Sequence, residues 1–261
     1  MANLVFSYVN HVDLDAAMLS ASTQLGDNSP SNMADPIIGR RWRSGITDCH
    51  GHVDFGADVA IDVVALRFPR DETFDLAALG GTVRHGFDLS AGAAGTGGAH
   101  DSGAIAIGAA DGYGYHVYFP PSTVTARYWR FTFQATGVSF IDVGRAWAGP
   151  KFQPERNLAW GWGDEWADLS RVSKAERSGA GYVDERANFR RMTLEVPFSE
   201  NDKAMARELG RVAGIRKQVL FVRDPSAPAL ETVIGRMSET HPILCQGLRI
   251  NSRAFILEES L

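Results

Sequence analysis

Two histidines, His50 and His52, stand between the acids Asp48 and Asp54, with Cys49 among them. In an extended strand, residues two apart share a face, so both imidazoles and both carboxylates project to one side and the thiol to the other. Two imidazoles at that spacing reach one zinc ion, and a catalytic zinc takes three protein ligands while water holds the fourth position. The third ligand would have to come from His85, from His100 beside Asp101, or from His116, none of which sits in a second recognisable motif. Residues 48–51 also have the character of a turn, which breaks the shared face. Residues 47–56 are therefore expected to be a turn and the first core strand of a β-sandwich, with Val53 and Phe55 inward and Asp54 satisfying polar groups at the strand end. No metal and no other cofactor is expected.

Other catalytic signatures are missing from the sequence: no G-x-S-x-G elbow, no G-x-x-x-x-G-K-[ST] loop, no H-E-x-x-H and no dinucleotide-binding glycine fingerprint after a strand. Asp164 and Glu165 offer two carboxylates, but glycoside hydrolysis sets its acids on opposite sides of a sugar, which adjacent residues do not achieve by themselves. The chain is expected not to be an enzyme. Trp160, Trp162 and Trp166, half of the six tryptophans, offer different chemistry. An indole presents a flat apolar face and one donor, suited to stacking on a sugar ring or anchoring a protein interface. Gly161 and Gly163 let the chain bend so that the flanking indoles meet one partner. Packing of a seam between domains is the first role open to these tryptophans, followed by a subunit interface and glycan binding.

The elements that must position these residues are mostly strands. The chain has 261 residues, enough for one large β domain or two smaller ones, and folds without needing disulfides or metals. Hydrophobic residues make up 44% and charged residues 22%, the balance of a soluble globular protein. A formal net charge of −5 has the wrong sign for a nucleic-acid surface. No run of about eighteen apolar residues occurs, so no membrane insertion is expected. Residues 1–20 lack the basic and apolar regions of a secretory signal, which leads to an expectation of synthesis in a cytosol. Cys49 and Cys245 lie far apart and are expected as separate buried thiols.

Residues 1–48 are rich in turn formers and read as an extended arm. From Val53 the grammar is that of strands, closed by Pro69. Residues 71–104 read as loop, and the glycine-rich stretch 89–104 as a flexible surface loop of the kind that often binds ligands. Strands return at 112–120 and 126–149. In the latter, Tyr128, Arg130, Thr132 and Gln134 alternate with Trp129, Phe131 and Phe133, the period of a strand with one buried face. The prolines of 148–157 mark a joint, dividing a sandwich domain (1–149) from an α+β domain (150–261). In the second domain, 188–198 reads as a strand. A helix follows, with Ser199 as its cap, Asp202 three residues on, Gly214 past its end, and a stripe of Ala204, Met205, Leu209 and Val212. Residues 217–225 form another strand, and 243–259 one or two more with a turn at Asn251 and Ser252.

The first half resembles discoidin-like, galactose-binding-like β-sandwiches. The residues that carry the likeness are RRWRS at 40–44, HVDFG at 52–56, VVALRF at 63–68, ARYWRF at 126–131 and FIDVGRAWAG at 140–149. Their order is similar to that in tail proteins of long-tailed bacteriophages and prophages. The stretch 190–225 is similar to the strand–helix–strand of distal tail or baseplate components. The fold class implied is mainly β: a discoidin-like sandwich and a smaller α+β, split-barrel-like domain with one helix. The role implied is that of a structural component of a phage tail tip or baseplate. It would assemble with itself as a ring or trimer, contact the tail tube and hub, and reside in the virion after synthesis in the bacterial cytoplasm. A host cell-surface glycan is a further expected contact. Trp160, Trp162, Trp166, Arg41 and Arg43 are the residues expected at a partner or glycan, and Trp42 is expected to fill the mouth of the sandwich. A free carbohydrate-binding module is the alternative, and a zinc-dependent hydrolase built on His50 and His52 the lower one.

Overall fold

The computed structural model describes residues 3–70, 73–90, 95–107, 113–174, 181–239, 241–247 and 250–261. In chain order the first strands are β1 (Val5–Ser7), β2 (Met18–Ala21), β3 (Trp42–Arg43), β4 (Asp48–Ile61), β5 (Val63–Arg67) and β6 (Gly80–Asp88). Then come β7 (His100–Ala106), β8 (Tyr115–Tyr118), β9 (Val124–Thr136), β10 (Asp142–Val143) and β11 (Arg145–Gly149). The chain continues with β12 (Gly163–Ala167), β13 (Arg171–Lys174), β14 (Gly181–Asp184), β15 (Phe189–Phe198), α1 (Lys203–Val212) and β16 (Gln218–Val222). It closes with the single turn α2 (Pro228–Glu231), β17 (Thr232–Met237), β18 (Leu244–Gly247) and β19 (Ile250–Glu259). The protein is mainly β. It forms two compact units, Met1–Gln153 with Leu220–Thr232, and Pro154–Val219 with Val233–Leu261. Where the sequence suggests two continuous domains, the first unit takes a second segment from late in the chain.

The first unit is a β-sandwich. One sheet has the order β2-β4-β9-β6-β7 and the other β11-β5-β8, with antiparallel neighbours throughout. Alternation along the strands builds the core. Trp129, Phe131 and Phe133 of β9, Val53 and Phe55 of β4, and Val83 and Phe87 of β6 are buried. They form one cluster with Val64, Leu66, Ala146 and Ala148 of the smaller sheet. Trp42 lies in the same cluster, edge-on to Phe131, and its indole N–H donates to the Thr23 carbonyl at 2.8 Å. Gly51 faces the Phe131 ring, where a Cβ would come within 2.2 Å of it, so the glycine of the His50–His52 segment makes room for an aromatic on the next strand. On the other face of β11, the Trp147 indole donates to Ser7 Oγ at 3.0 Å. This brings in β1, which pairs with residues 220–222 of β16.

Several expectations are corrected. Residues 48–51 belong to the continuous strand β4 and are not a turn. The stretch 71–104 holds β6 and most of β7, so of its glycine-rich part 89–90 and 95–99 are described as irregular, and 91–94 lie outside the described residues. β7 is an edge strand with no buried residue, which leaves no apolar alternation to find. The extended arm of the first 48 residues carries β1, β2 and β3 and is packed into the first unit, with Leu4, Phe6, Val12 and Met33 buried. Cys49 is buried as expected, and burial pushes its thiol up to about 11, whereas Cys245 is exposed.

In the second unit, β19 pairs with β15, β17 and β18, and β15 pairs with β12. Met192, Leu194, Val196, Phe255 and Leu257 are buried along the two long strands. Ser199 and Asp202 bond to each other, but in the turn that precedes α1, whose own N-cap is Asp202 and makes no side-chain hydrogen bond to the helix. Ser199 Oγ accepts from the Asp202 N–H at 3.2 Å, and Asp202 Oδ2 accepts from the Ser199 N–H at 3.3 Å, the reciprocal pair of a capping box. The buried stripe of α1 and its end is Ala206, Leu209 and Ala213, while Ala204 and Met205 are exposed. Asn251 and Ser252 lie inside β19 and not at a turn, and residues 248–249, between β18 and β19, lie outside the described residues. A short helix, α2, adds to the single helix expected.

Candidate functional site

The residues singled out from the sequence do not converge. His50 and His52 do share the outer face of β4, opposite Thr132 and Arg130 of β9. His85 and His116 lie inside the sandwich, with their Nε2 atoms 3.0 Å apart. The indole N–H of Trp129 reaches His85 Nδ1 at 3.2 Å. An indole nitrogen only donates, so neutral His85 keeps its proton on Nε2 and passes that hydrogen bond to His116. Burial holds both below the usual imidazole range, His116 at about 4. His100 pairs with the Tyr118 hydroxyl at 2.8 Å. Among the described residues no three His, Cys, Asp or Glu side chains gather as a metal site.

Arg41 and Arg43 flank Trp42 as expected, and their charges are taken up within the unit. Arg43 grips buried Asp142 with Nε and Nη2, at 2.7 and 2.6 Å, and Arg41 adds a contact at 3.3 Å. Thr73 accepts from both arginines, and the Arg43 guanidinium lies 4.2 Å from the centre of the Phe140 ring. Asp164 and Glu165 face Arg190 and Arg191, not each other. Trp160, Trp162 and Trp166 are all exposed, Trp160 completely. The hairpin of β13 and β14 adds exposed Val172, Tyr182 and Val183.

The feature with binding geometry is one that motif reading missed. On the outer face of the large sheet, β6, β7 and β9 floor a cleft of about 450 Å3. Thr82 and Arg84 of β6, Asp101 and Ala104 of β7, and Arg130, Thr132 and Gln134 of β9 line it, with Gly95 and Thr96 forming a wall. That wall is held by Asp88, whose carboxylate accepts from the N–H groups of Gly97 and Gly98 at 2.9 and 2.7 Å. Its backbone lies directly on the sheet. A Cβ on Gly86 would come within 2.0 Å of the Gly95 carbonyl, and Gly95 itself has φ +79° against the Arg130 backbone. Glycine at both places is what brings the loop down onto the strands.

Arg84 forks onto Asp101, with Nε to Oδ1 at 2.8 Å, and this pair holds the Asp101 carboxyl below the usual range. Asp54, further along the same face, is held low in the same way by Arg127. His50 and His52 are held neutral by burial and then by the charge of Arg130. The side chains of Thr82, Thr132, Gln134 and Arg130 make no hydrogen bond to any described residue, and Arg130 Nε is buried without a partner. The signal in the sequence was the polar half of the β9 alternation, which reads as an ordinary solvated face until β6 and the 95–98 loop are placed beside it.

No family model matches the chain, and no curated protein matches its sequence. Solved structures are similar over part of it. A GH29 fucosidase of Ruminococcus gnavus in complex with fucose is 15% identical over 55% of this chain, with a TM-score of 0.44, and only 27% of that enzyme is spanned. The CBM32 of AlyQ, in complex with 4,5-unsaturated mannuronic acid, is 14% identical over 50% of this chain and 92% of its own, with a TM-score of 0.41. The family 32 CBM from C. perfringens NanJ, in complex with galactose, is 11% identical over 57% of this chain and 99% of its own, with a TM-score of 0.42. Scores of this size leave the assignment of a mainly β sandwich resting on the sheets themselves.

Proposed function

We propose that the chain is a non-catalytic glycan-binding protein whose sandwich takes a sugar in the cleft over β6, β7 and β9. The observation that carries this is a concave surface on strands in which the hydroxyls of Thr82 and Thr132, the amide of Gln134 and the guanidinium of Arg130 have no partner among the described residues. Sugars are dense in hydroxyls, and each such group both donates and accepts. Thr82, Thr132 and Gln134 match that pattern, since hydroxyls and amides also do both. Isothermal titration against a panel of neutral and acidic oligosaccharides tests the reading. Binding is expected for the wild type and is expected to fall at least tenfold in Thr132→Val with Gln134→Ala. A panel without a binder overturns the reading.

A second reading is favoured by the exposed Trp160, Trp162 and Trp166 and the apolar side chains of the hairpin of β13 and β14. The chain is then a structural component of a phage tail tip or baseplate, and the second domain its assembly domain. Large exposed apolar groups in one segment mark interaction surfaces. Ring or trimer formation is expected by light scattering. A species that stays monomeric at every accessible concentration overturns self-assembly. The two readings are compatible in one protein.

A further inference from the structure

The charges in the cleft do not balance. Three ionic side chains line it, Arg84, Asp101 and Arg130. Arg84 and Asp101 neutralise each other through a forked pair. Asp54 on the same face belongs to Arg127. Arg130 makes neither an ion pair nor a hydrogen bond to any described residue, and its Nε is shut off from water. Across β9 its neighbours are His52 on one side and Gly86 on the other. His52 stacks on Tyr128, and an imidazole has no negative charge with which to answer the guanidinium. Gly86 has no side chain to answer it either, and the backbone of Gly95 that lies over Gly86 brings no charge.

A guanidinium partly withdrawn from water without a counter-ion is poorly satisfied, and a carboxylate answers it with two parallel hydrogen bonds. We infer that the ligand of this cleft is a uronic-acid-bearing glycan, with Arg130 gripping its carboxylate while Thr132, Gln134 and Thr82 take its hydroxyls. This rests on the glycan-binding reading above. The single excess positive charge suits a monoanion. The neutral hydroxyl and amide groups around it outnumber the cation, which suits a sugar ring better than a phosphate dianion.

The test is isothermal titration of oligogalacturonate, oligomannuronate and a glucuronate-containing oligosaccharide, each beside its methyl ester. The ester keeps the ring and its hydroxyls and removes the charge. At least one free acid is expected to bind, its ester at least tenfold more weakly. Arg130→Met should abolish the preference for the acid, and Arg130→Lys should keep part of it. Should Arg130→Met not fold by circular dichroism, the acid-against-ester comparison on the wild type still decides. A neutral oligosaccharide that binds through Gln134 while every uronate fails overturns the acid inference and leaves the glycan reading standing. Inorganic phosphate that displaces the uronate at equal or lower concentration overturns it in favour of a phosphate site. Failure of every sugar, neutral and acidic, overturns both.

Discussion

Strand β9 carries two opposite kinds of surface within thirteen residues. Inward, Trp129, Phe131 and Phe133 are fully buried, and the one polar atom among them, the Trp129 indole nitrogen, has its partner in His85. Outward, Arg130, Thr132 and Gln134 leave donors and acceptors open. The inner set fixes the backbone by close packing. The outer set then holds its positions without having to contribute to stability, which is the condition for a preorganised binding surface. The contrast teaches that stability and function are divided between the faces of one strand, so that substitutions a single residue apart should have unlike consequences.

The largest effect is expected at the core. Phe131→Ala should cost about 4 kcal/mol, because the ring sits over Gly51 and between Trp42, Trp129 and Phe133, where no neighbour collapses into the space. Urea denaturation measures it, and a loss below about 1 kcal/mol would mean that the two faces do not differ as described. Next comes Asp142→Ala, which leaves Arg41 and Arg43 without their shared carboxylate and should cost roughly 3 kcal/mol. Acidification probes the interior through its histidines. Between about pH 4 and 6.5, folded His116 binds fewer protons than the unfolded chain, so stability falls as pH falls through that window and is indifferent to this group above it. The loss should reach about 2 kcal/mol by pH 5, with His85 acting in the same direction. A denaturation midpoint unchanged from pH 7 to pH 5 would show that the pair is not held neutral. The smallest effect is expected outside: Gln134→Ala should change stability by less than about 0.5 kcal/mol while weakening glycan binding. A large destabilisation there would erase the contrast.

Much of the sandwich was legible because its inner faces alternate plainly, as Trp129, Phe131 and Phe133 do, and because Trp42, Val53 and Phe55 have no good place but a core. The reciprocal pair of Ser199 and Asp202 ahead of α1 was legible because it is local chemistry, although the helix itself begins later, with Asp202 as its N-cap. What was not legible depends on distant strands. β7 has few apolar residues because it is an edge strand, so its glycines and alanines resemble loop. The stripe of α1 was misjudged because Met205 is as apolar as Leu209, and only the neighbouring sheet decides which is covered. The cleft combines polar residues from β6, β7 and β9 with a loop that glycines bring close, and no single segment announces it. The tryptophans drew attention by type, but burial could not be read from type alone.

The late segment 220–232 that completes the first unit also bears on the order in which the protein forms. β1 holds Val5 to Ser7, and its partner residues are Val222 to Leu220. During synthesis one edge of the first strand can pair early, through Phe6 and Phe152, while the edge that meets β16 must wait until residues 220–222 are made. Contacts so distant in sequence are slow to close and leave a strand edge open to wrong partners in the meantime. A chain cut after residue 153 would keep both sheets of the sandwich yet lack the strand that pairs with its own beginning. One edge of β1 is thus among the last pieces of the first unit to be covered.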